Sequence, residues 1–238
     1  MKLRLTLLFA VAAVSLNAQT WFDIGVKGAF GPTVLFERNI FDFGAGEYKH
    51  KLTKGYNFGA RLNINTGHHF GISLEYAAAT SKQDFVLSDD PWNTFIWKHN
   101  DLLALLRFSG SGAYIELGGK YSLVNKVELD NVNAGLIDDS QNFEDSYFSG
   151  VFGFGSYLAG NDVLSINLGI RLHWALNDFV NEAGKENNRP IAYYGAPLKN
   201  PEYKTLATAA QVQLEINYAF GRFAKTSCSE RWKLILFR

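Results

Sequence analysis

The sequence predicts an all-β fold: eight antiparallel strands closed up-and-down into a barrel. Three observations carry the prediction. Apolar and polar residues alternate with a period of two in eight segments of the 238-residue chain, the signature of strands with two unlike faces. The connections between these segments alternate between short and long. In every clear segment the apolar side is also the aromatic-rich side, while the other side carries the charges. An aromatic content of 15% and 22 glycines suit strands and tight turns better than a helical bundle.

The segments follow in order. Trp21–Phe30 sets Phe22, Ile24, Val26 and Phe30 against Asp23 and Lys27. Tyr56–Asn65 sets Tyr56, Phe58, Leu62 and Ile64 against Asn57, Arg61 and Asn63. Phe70–Ala77 sets Ile72, Leu74 and Tyr76 against Ser73 and Glu75. Lys98–Phe108 is ambiguous, because Leu103 and Leu105 share a side with Asp101 and Arg107. Ala113–Leu123 sets Ile115, Leu117, Tyr121 and Leu123 against Glu116, Lys120 and Ser122. Ser146–Leu158 is rich in glycine, with Phe148, Phe152 and Phe154 in phase. The seventh strand contains INLGIRLHWALND (166–178), whose even positions through Leu176 are all apolar while Arg171 and His173 fall on the odd side. Leu206–Phe220 sets Val212, Leu214, Ile216 and Tyr218 against Gln211, Gln213, Glu215 and Asn217.

A soluble barrel puts its apolar face inside. Here burying the charged face and wetting the aromatic one is consistent only if the apolar face meets lipid. Strands of about ten residues are what a tilted strand needs to cross a bilayer. Short connections at TGHH (66–69), SGSG (109–112) and AGND (159–162), with long ones near 31–55, 78–97, 124–145 and 177–205, fit short periplasmic turns and long extracellular loops. All five prolines are assigned to the long loops, since proline breaks a ladder. The expected fold is therefore a transmembrane barrel.

The inward side then carries Lys27, Arg61, Arg107, Lys120 and Arg171 against Asp23, Glu75, Asp101, Glu116 and Glu215, five of each sign. An eight-strand lumen is only wide enough to be filled by side chains, so a packed polar network without an open channel is expected. Aromatic residues near strand ends predict two interface girdles: Trp21, Phe70, Phe108 and Phe220 on the periplasmic side, Tyr76, Trp97, Tyr121 and Trp174 on the outer side.

The N-terminus, MKLRLTLLFAVAAVSLNAQ, has Lys2 and Arg4 before a short apolar run, Leu5 to Val14. It reads as a secretory signal over 1–18 cut between Ala18 and Gln19, although Leu16 is larger than the residue usual at that place. The barrel is expected over 19–223, exported to the cell outer membrane, and followed by a periplasmic tail over 224–238. That tail holds the one cysteine, Cys228, which has no partner for an internal disulfide, and an apolar-basic end that suits a membrane surface or a partner subunit.

The chain resembles the small outer-membrane β-barrel proteins of Gram-negative bacteria, in the PorT-like and OmpX/OmpA-like group. The residues that carry the resemblance are NAQ (17–19), NDLLALLRFSGSGAYIELGGKYSLV (100–124), SINLGIRLHWALND (165–178) and QVQLEINYAF (211–220). It implies an outer-membrane location and no shared catalytic residues.

Function classes narrow accordingly. With 23 basic and 23 acidic residues and no polybasic run, nucleic acid is not an expected partner. The five histidines and one cysteine show no metal-ligand spacing, so no metal and no cofactor is expected. Glycines in GVKGAFG and FGFGSYLAG precede no helix pattern and do not form a phosphate loop. The expected role is non-enzymatic, with outer-membrane lipid and lipopolysaccharide as surroundings and an envelope protein met through the extracellular loops or the tail. Two alternatives stay open. One is a lipid A-modifying hydrolase or acyltransferase using His173 with Ser165 or Ser122 and Glu116, since such a set is recognised by geometry rather than order. The other is a soluble, lipocalin-like carrier.

Overall fold

In a computed structural model, which describes residues 20–38, 48–66, 69–87, 90–131, 135–161, 163–190, 202–220 and 233–234, eight strands follow one another as antiparallel neighbours. They are β1 (Thr20–Glu37), β2 (Thr53–Thr66), β3 (Phe70–Leu87), β4 (Asp90–Gly110), β5 (Ala113–Asn131), β6 (Ser146–Gly160), β7 (Leu164–Ala175) and β8 (Thr205–Phe220). β1 pairs with β2 on one side and with β8 on the other, so the sheet closes and none of the eight is left as an edge. No described helix is long and apolar enough to cross a membrane.

The register follows from the charges. Lys27 lies opposite Glu215, Arg61 opposite Glu75, and Arg107 opposite Glu116. A one-residue slip would turn each of these pairs out of the barrel and bring an apolar row in. Two inward glycines leave room for polar neighbours: a Cβ on Gly25 would run into the Asn217 side chain, and one on Gly153 would come within 3.1 Å of Glu116 Oε2. The β4–β5 hairpin turns through Ser111 (φ 49) and Gly112 (φ 84), the pair of positive φ angles that matches the twist of two joined strands.

The strands are longer than the alternation of lipid-type residues predicts. β3 and β4 have 18 and 21 residues, and the segment 78–97, expected as a loop, is mostly the far half of their hairpin. The reason is chemical. Alternation continues beyond the apolar belt, but its meaning inverts. Inward positions become Phe85, Phe95, Trp97, Val127 and Leu129, all buried, while outward positions become Thr80, Lys82, Lys98, Lys126 and Asp130. Short strands Tyr48–Lys51 and Gly135–Asp138 extend the sheet on β3 and β5, and Gly135–Asp138 lies in the region 124–145, also expected as a loop.

Two further expectations are corrected. Pro32 and Pro91 lie in strands, not loops. The β1–β8 pairing is interrupted at Gly31–Pro32 while β1–β2 pairing continues, so the missing N–H falls where no ladder bond is formed on that side. Trp97 is not in an outer girdle; it is 1% exposed and points inward, because inward positions in this part of β4 are apolar. The signal peptide with Ala18 and Gln19, and most of the tail, lie outside the described residues. Of the tail, Lys233–Leu234 pair with Ala159 and Gly160 at the end of β6.

Candidate functional site

The ring encloses three zones, stacked from the short-turn end, where β1 begins and β8 ends, to the far end. Nearest the short turns, Asp23 accepts hydrogen bonds from Asn63 and from Asn65 Nδ2 (2.8 Å). A polar hollow of about 90 Å³ lined by Asp23, Asn65, Asn167 and Asn217 sits here, room for about three waters.

The middle zone is a charge cluster. Arg171 Nη1 donates to Glu75 Oε2 at 2.7 Å and its Nη2 to Glu116 Oε2 at 2.5 Å. Arg107 donates from Nε to Glu116 Oε1 (2.8 Å) and from Nη2 to Glu215 Oε2 (2.8 Å). Arg61 pairs with Glu215 and Lys27 with Glu75. The Arg107 guanidinium also lies 3.9 Å from the centre of the Tyr114 ring, a cation–π contact. That ring fills the space left by two glycines, since a Cβ on Gly155 or Gly169 would come within 2.5 Å of the Tyr114 hydroxyl. Glu75, Glu116 and Glu215 bring carboxylate oxygens within 4.8 Å of one another, the density of a metal site. Three carboxylates face four cations (Lys27, Arg61, Arg107, Arg171), so the cluster is already net positive and holds no place for a metal ion.

A second group sits above it. Asp101 accepts from Ser122 Oγ (2.6 Å) and pairs with Lys120 Nζ (3.5 Å). His99 Nδ1 lies 2.7 Å from Asp101 Oδ1, and its Nε2 lies 3.2 Å from Ser81 Oγ. All ten residues of the expected inward charge set are thus buried inside the ring, split into Asp23 below, seven groups in the middle and the Lys120–Asp101 pair above. Leu103 and Leu105, ambiguous by sequence, also point inward and pack with Val151.

Sequence reasoning pointed to His173 for Ser/His/acid chemistry, and the geometry does not assemble that set. Ser165 is eight residues away on the same strand, roughly 26 Å at strand rise. Among the described residues no hydrogen bond links His173 to Ser122 or Glu116, and its Nδ1 has no partner. The Ser81–His99–Asp101 chain was missed, because Ser81 lay in a segment read as loop. The His-x-Asp spacing on one face of β4 was the available signal.

The far zone is an aromatic plug. Phe85, Phe95, Trp97, Phe143, Tyr147 and Phe179 form one buried cluster with Leu35, Val127 and Leu129. Phe143 and Phe179 come from the segments after β5 and β7, which are tied together across the mouth. Arg189 Nε donates to Asp139 Oδ2 at 2.6 Å, Glu144 N to the Phe179 carbonyl at 2.9 Å, and Asn187 Nδ2 to Asn142 Oδ1 at 2.8 Å. A five-residue helix, α1 (Glu182–Glu186), is part of this cap, with Asn181 accepting from Gly184 N. Together, cluster and plug fill the interior.

Outside, the middle of the ring is a belt of exposed apolar side chains, among them Ile24, Val26, Leu74, Leu106, Leu117, Phe152, Leu172 and Leu214. Paired rings border it: Phe70 with Phe108 (5.4 Å) and Phe22 with Phe220 (5.9 Å) at the short-turn end, Tyr121 with Phe148 (4.7 Å) and Phe36 with Trp174 (5.8 Å) at the other. Beyond that border Glu128 accepts from Lys126 (2.7 Å) and pairs with Lys98 (3.0 Å). The hydrogen bonds from Lys126 and Lys98 hold its carboxyl below the usual carboxylate range.

With this geometry in hand, the chain resembles several solved barrels. They include Neisserial surface protein A (12% identity over 84% of this chain and 97% of that one, TM-score 0.45). They also include the outer membrane protein OprG from Pseudomonas aeruginosa (17% identity, 85% and 96%, TM-score 0.48). A third is Ail, the attachment invasion locus protein of Yersinia pestis, in complex with the heparin analogue sucrose octasulfate (12% identity, 85% and 99%, TM-score 0.43). The likeness is one of barrel shape. No family model and no curated protein matches the chain.

Proposed function

We propose that this chain is an integral outer-membrane barrel with a sealed lumen. In this reading it acts without catalysis, through the capped far end or as an accessory of an envelope complex. The observation that carries the reading is the inside-out belt. Charged side chains are buried where the outward face is apolar, and apolar side chains are buried where the outward face is polar. A barrel wholly in water has no reason to change its pattern part-way along, whereas one that leaves a bilayer does. Aromatic pairs at both borders of the belt support the same placement. In this reading the short turns are periplasmic, the plug is extracellular, and residues 224–238 are a periplasmic segment available to a partner. A place in the PorT-like or OmpX/OmpA-like group, and removal of residues 1–18 on export, belong to the same proposal.

The test is insertion. The mature chain, refolded into detergent or liposomes, should migrate faster on an unboiled gel than after boiling, and planar bilayers containing it should show no steady conductance. A stable monomer in plain buffer overturns the membrane reading; steady conductance overturns the sealed lumen.

A second reading, a Ser/His/acid hydrolase, is favoured by one observation, the Ser81–His99–Asp101 chain. Neither the polar hollow of about 90 Å³ nor a larger apolar one of about 730 Å³ on the outer wall is lined by these residues, so the non-enzymatic reading is preferred. Labelling of the folded barrel by a fluorophosphonate, lost in Ser81→Ala, would reverse that preference.

A further inference from the structure

The outer wall of the barrel is not uniform. On β2–β6 the apolar belt contains a hollow of about 730 Å³. Its floor is made by missing side chains. Ala104 lies opposite Gly119, and Gly119 opposite Gly150, so three neighbouring strands present almost no side chain at one level. Nothing within 4 Å would meet a Cβ on Gly150, and a Cβ on Gly119 would meet only a backbone oxygen at 4.0 Å. Leu74 and Tyr76 on one side and Tyr121 and Phe148 on the other stand as walls.

Four of these five strands, β2–β5, carry a second feature. Just past the belt, at its far end, each presents one outward lysine: Lys54 on β2, Lys82 on β3, Lys98 on β4 and Lys126 on β5. Lys98 and Lys126 share a single carboxylate, Glu128. Lys54 and Lys82 make no ion pair among the described residues. Among the described residues the other half of the wall has no such row: there Val34, Thr208 and Trp174 lie side by side. From Leu102, on the rim of the hollow, to Lys98 is four residues of strand, roughly 13 Å. That is close to the depth of one leaflet, half of a hydrocarbon core of about 30 Å.

We propose that this face is the seat of one phosphorylated, acylated lipid of the leaflet around the far end, with an acyl chain in the hollow and phosphate on the lysine row. The inference rests on the membrane reading given above. Chemistry selects the ligand. The hollow offers mostly apolar contact, the Tyr76 and Tyr121 hydroxyls being the polar groups on its walls, so what enters it is hydrocarbon. The row offers surplus positive charge at headgroup height, so what the hydrocarbon is attached to is anionic. A neutral lipid would satisfy the first and leave the second unmet.

The experiment is native mass spectrometry of the full mature chain in a zwitterionic detergent, titrated with bis-phosphorylated lipid A and, separately, with dephosphorylated lipid A. One bound bis-phosphorylated lipid A per barrel is expected, with much weaker retention of the dephosphorylated form. Lys82→Gln with Lys98→Gln should lower retention of the phosphorylated form by about ten-fold or more. Gly119→Leu, which fills the hollow, should lower retention of both forms; Ala104→Leu serves if Gly119→Leu does not assemble. Arg38→Gln, just past the end of β1 and outside the row, should change nothing. Equal retention of the two lipids, unsaturable binding, or indifference to the lysine and hollow variants would each overturn the seat. A dimer mass abolished by Gly119→Leu would overturn it in favour of a second copy of this chain. The unboiled-gel shift keeps the two readings apart. If wild type shows no shift, the membrane reading itself has failed; if the shift persists while the lipids are not discriminated, only the seat is wrong.

Discussion

Leu168 and Arg171 are three residues apart on β7 and face opposite solvents. Arg171 is 1% exposed and holds Glu75 and Glu116 together. Replacing it by leucine leaves carboxylates buried without their main cation, and Arg171→Leu should cost about 3–5 kcal/mol of stability. Leu168 is on the outer belt, where Leu168→Arg should cost about 2–4 kcal/mol if it lies near the bilayer midplane. Both are measured by denaturant unfolding of the refolded barrel. They separate in a second measurement: Leu168→Arg should slow insertion into liposomes, while Arg171→Leu should insert and then unfold at lower denaturant. The opposite assignment would mean the register of β7 is shifted by one.

The elements change character along their length, and β5 shows how. Counted from Glu116, Lys120 and Ser122, simple alternation would carry Lys126 and Glu128 into the lumen. A bulge in the β4–β5 ladder, where His99 pairs with Val124 and Lys98 with Lys126, makes Asn125 the extra residue. Val127 and Leu129 turn inward as a result, and the two charged side chains turn outward. Deleting Asn125 keeps those faces, so the barrel should still assemble. Inserting one glycine after Asn125 also keeps those faces but shifts the far part of β5 by two residues against β4, moving Val127 from opposite Trp97 to opposite Phe95. The belt should then fold, with its gel shift intact, while the plug loses its protection in hydrogen exchange. Trp97→Ala tests the plug directly. Removing the largest fully buried side chain should cost about 3–5 kcal/mol and raise exchange at Phe143 and Phe179, with little change near Arg61.

For the whole molecule, both halves of the interior are filled, by ion pairs in the middle and aromatics above. Opening a pore therefore takes two changes in different zones. Phe179→Ala alone loosens the plug but leaves the charge cluster, and no conductance is expected in planar bilayers. A steady current through that single variant would show that the cluster does not seal the lumen. The cap is held by long-range ties such as Asp139–Arg189. Arg189→Gln should make the segments after β5 and β7 more sensitive to protease without altering the gel shift.

What the sequence determined by itself was the ring and its two faces. A period of two over eight segments, balanced charges on one side and aromatics on the other are local facts, repeated often enough to fix strand number, order and which residues point inward. All ten inward charges were readable in this way, whereas the inward turn of Leu103 and Leu105, ambiguous by pattern, was settled by the structure. Tertiary structure decided what local pattern leaves open. It decided how far the strands run, because alternation past the belt keeps its period but exchanges its solvents, and period alone does not say which solvent a face meets. It decided the inward turn of Trp97 and of Val127, which depend on a bulge that only pairing reveals. It joined Ser81 to His99 rather than His173 to Ser122, because a contact across strands is set by register, and register is the sum of every pair in the ring.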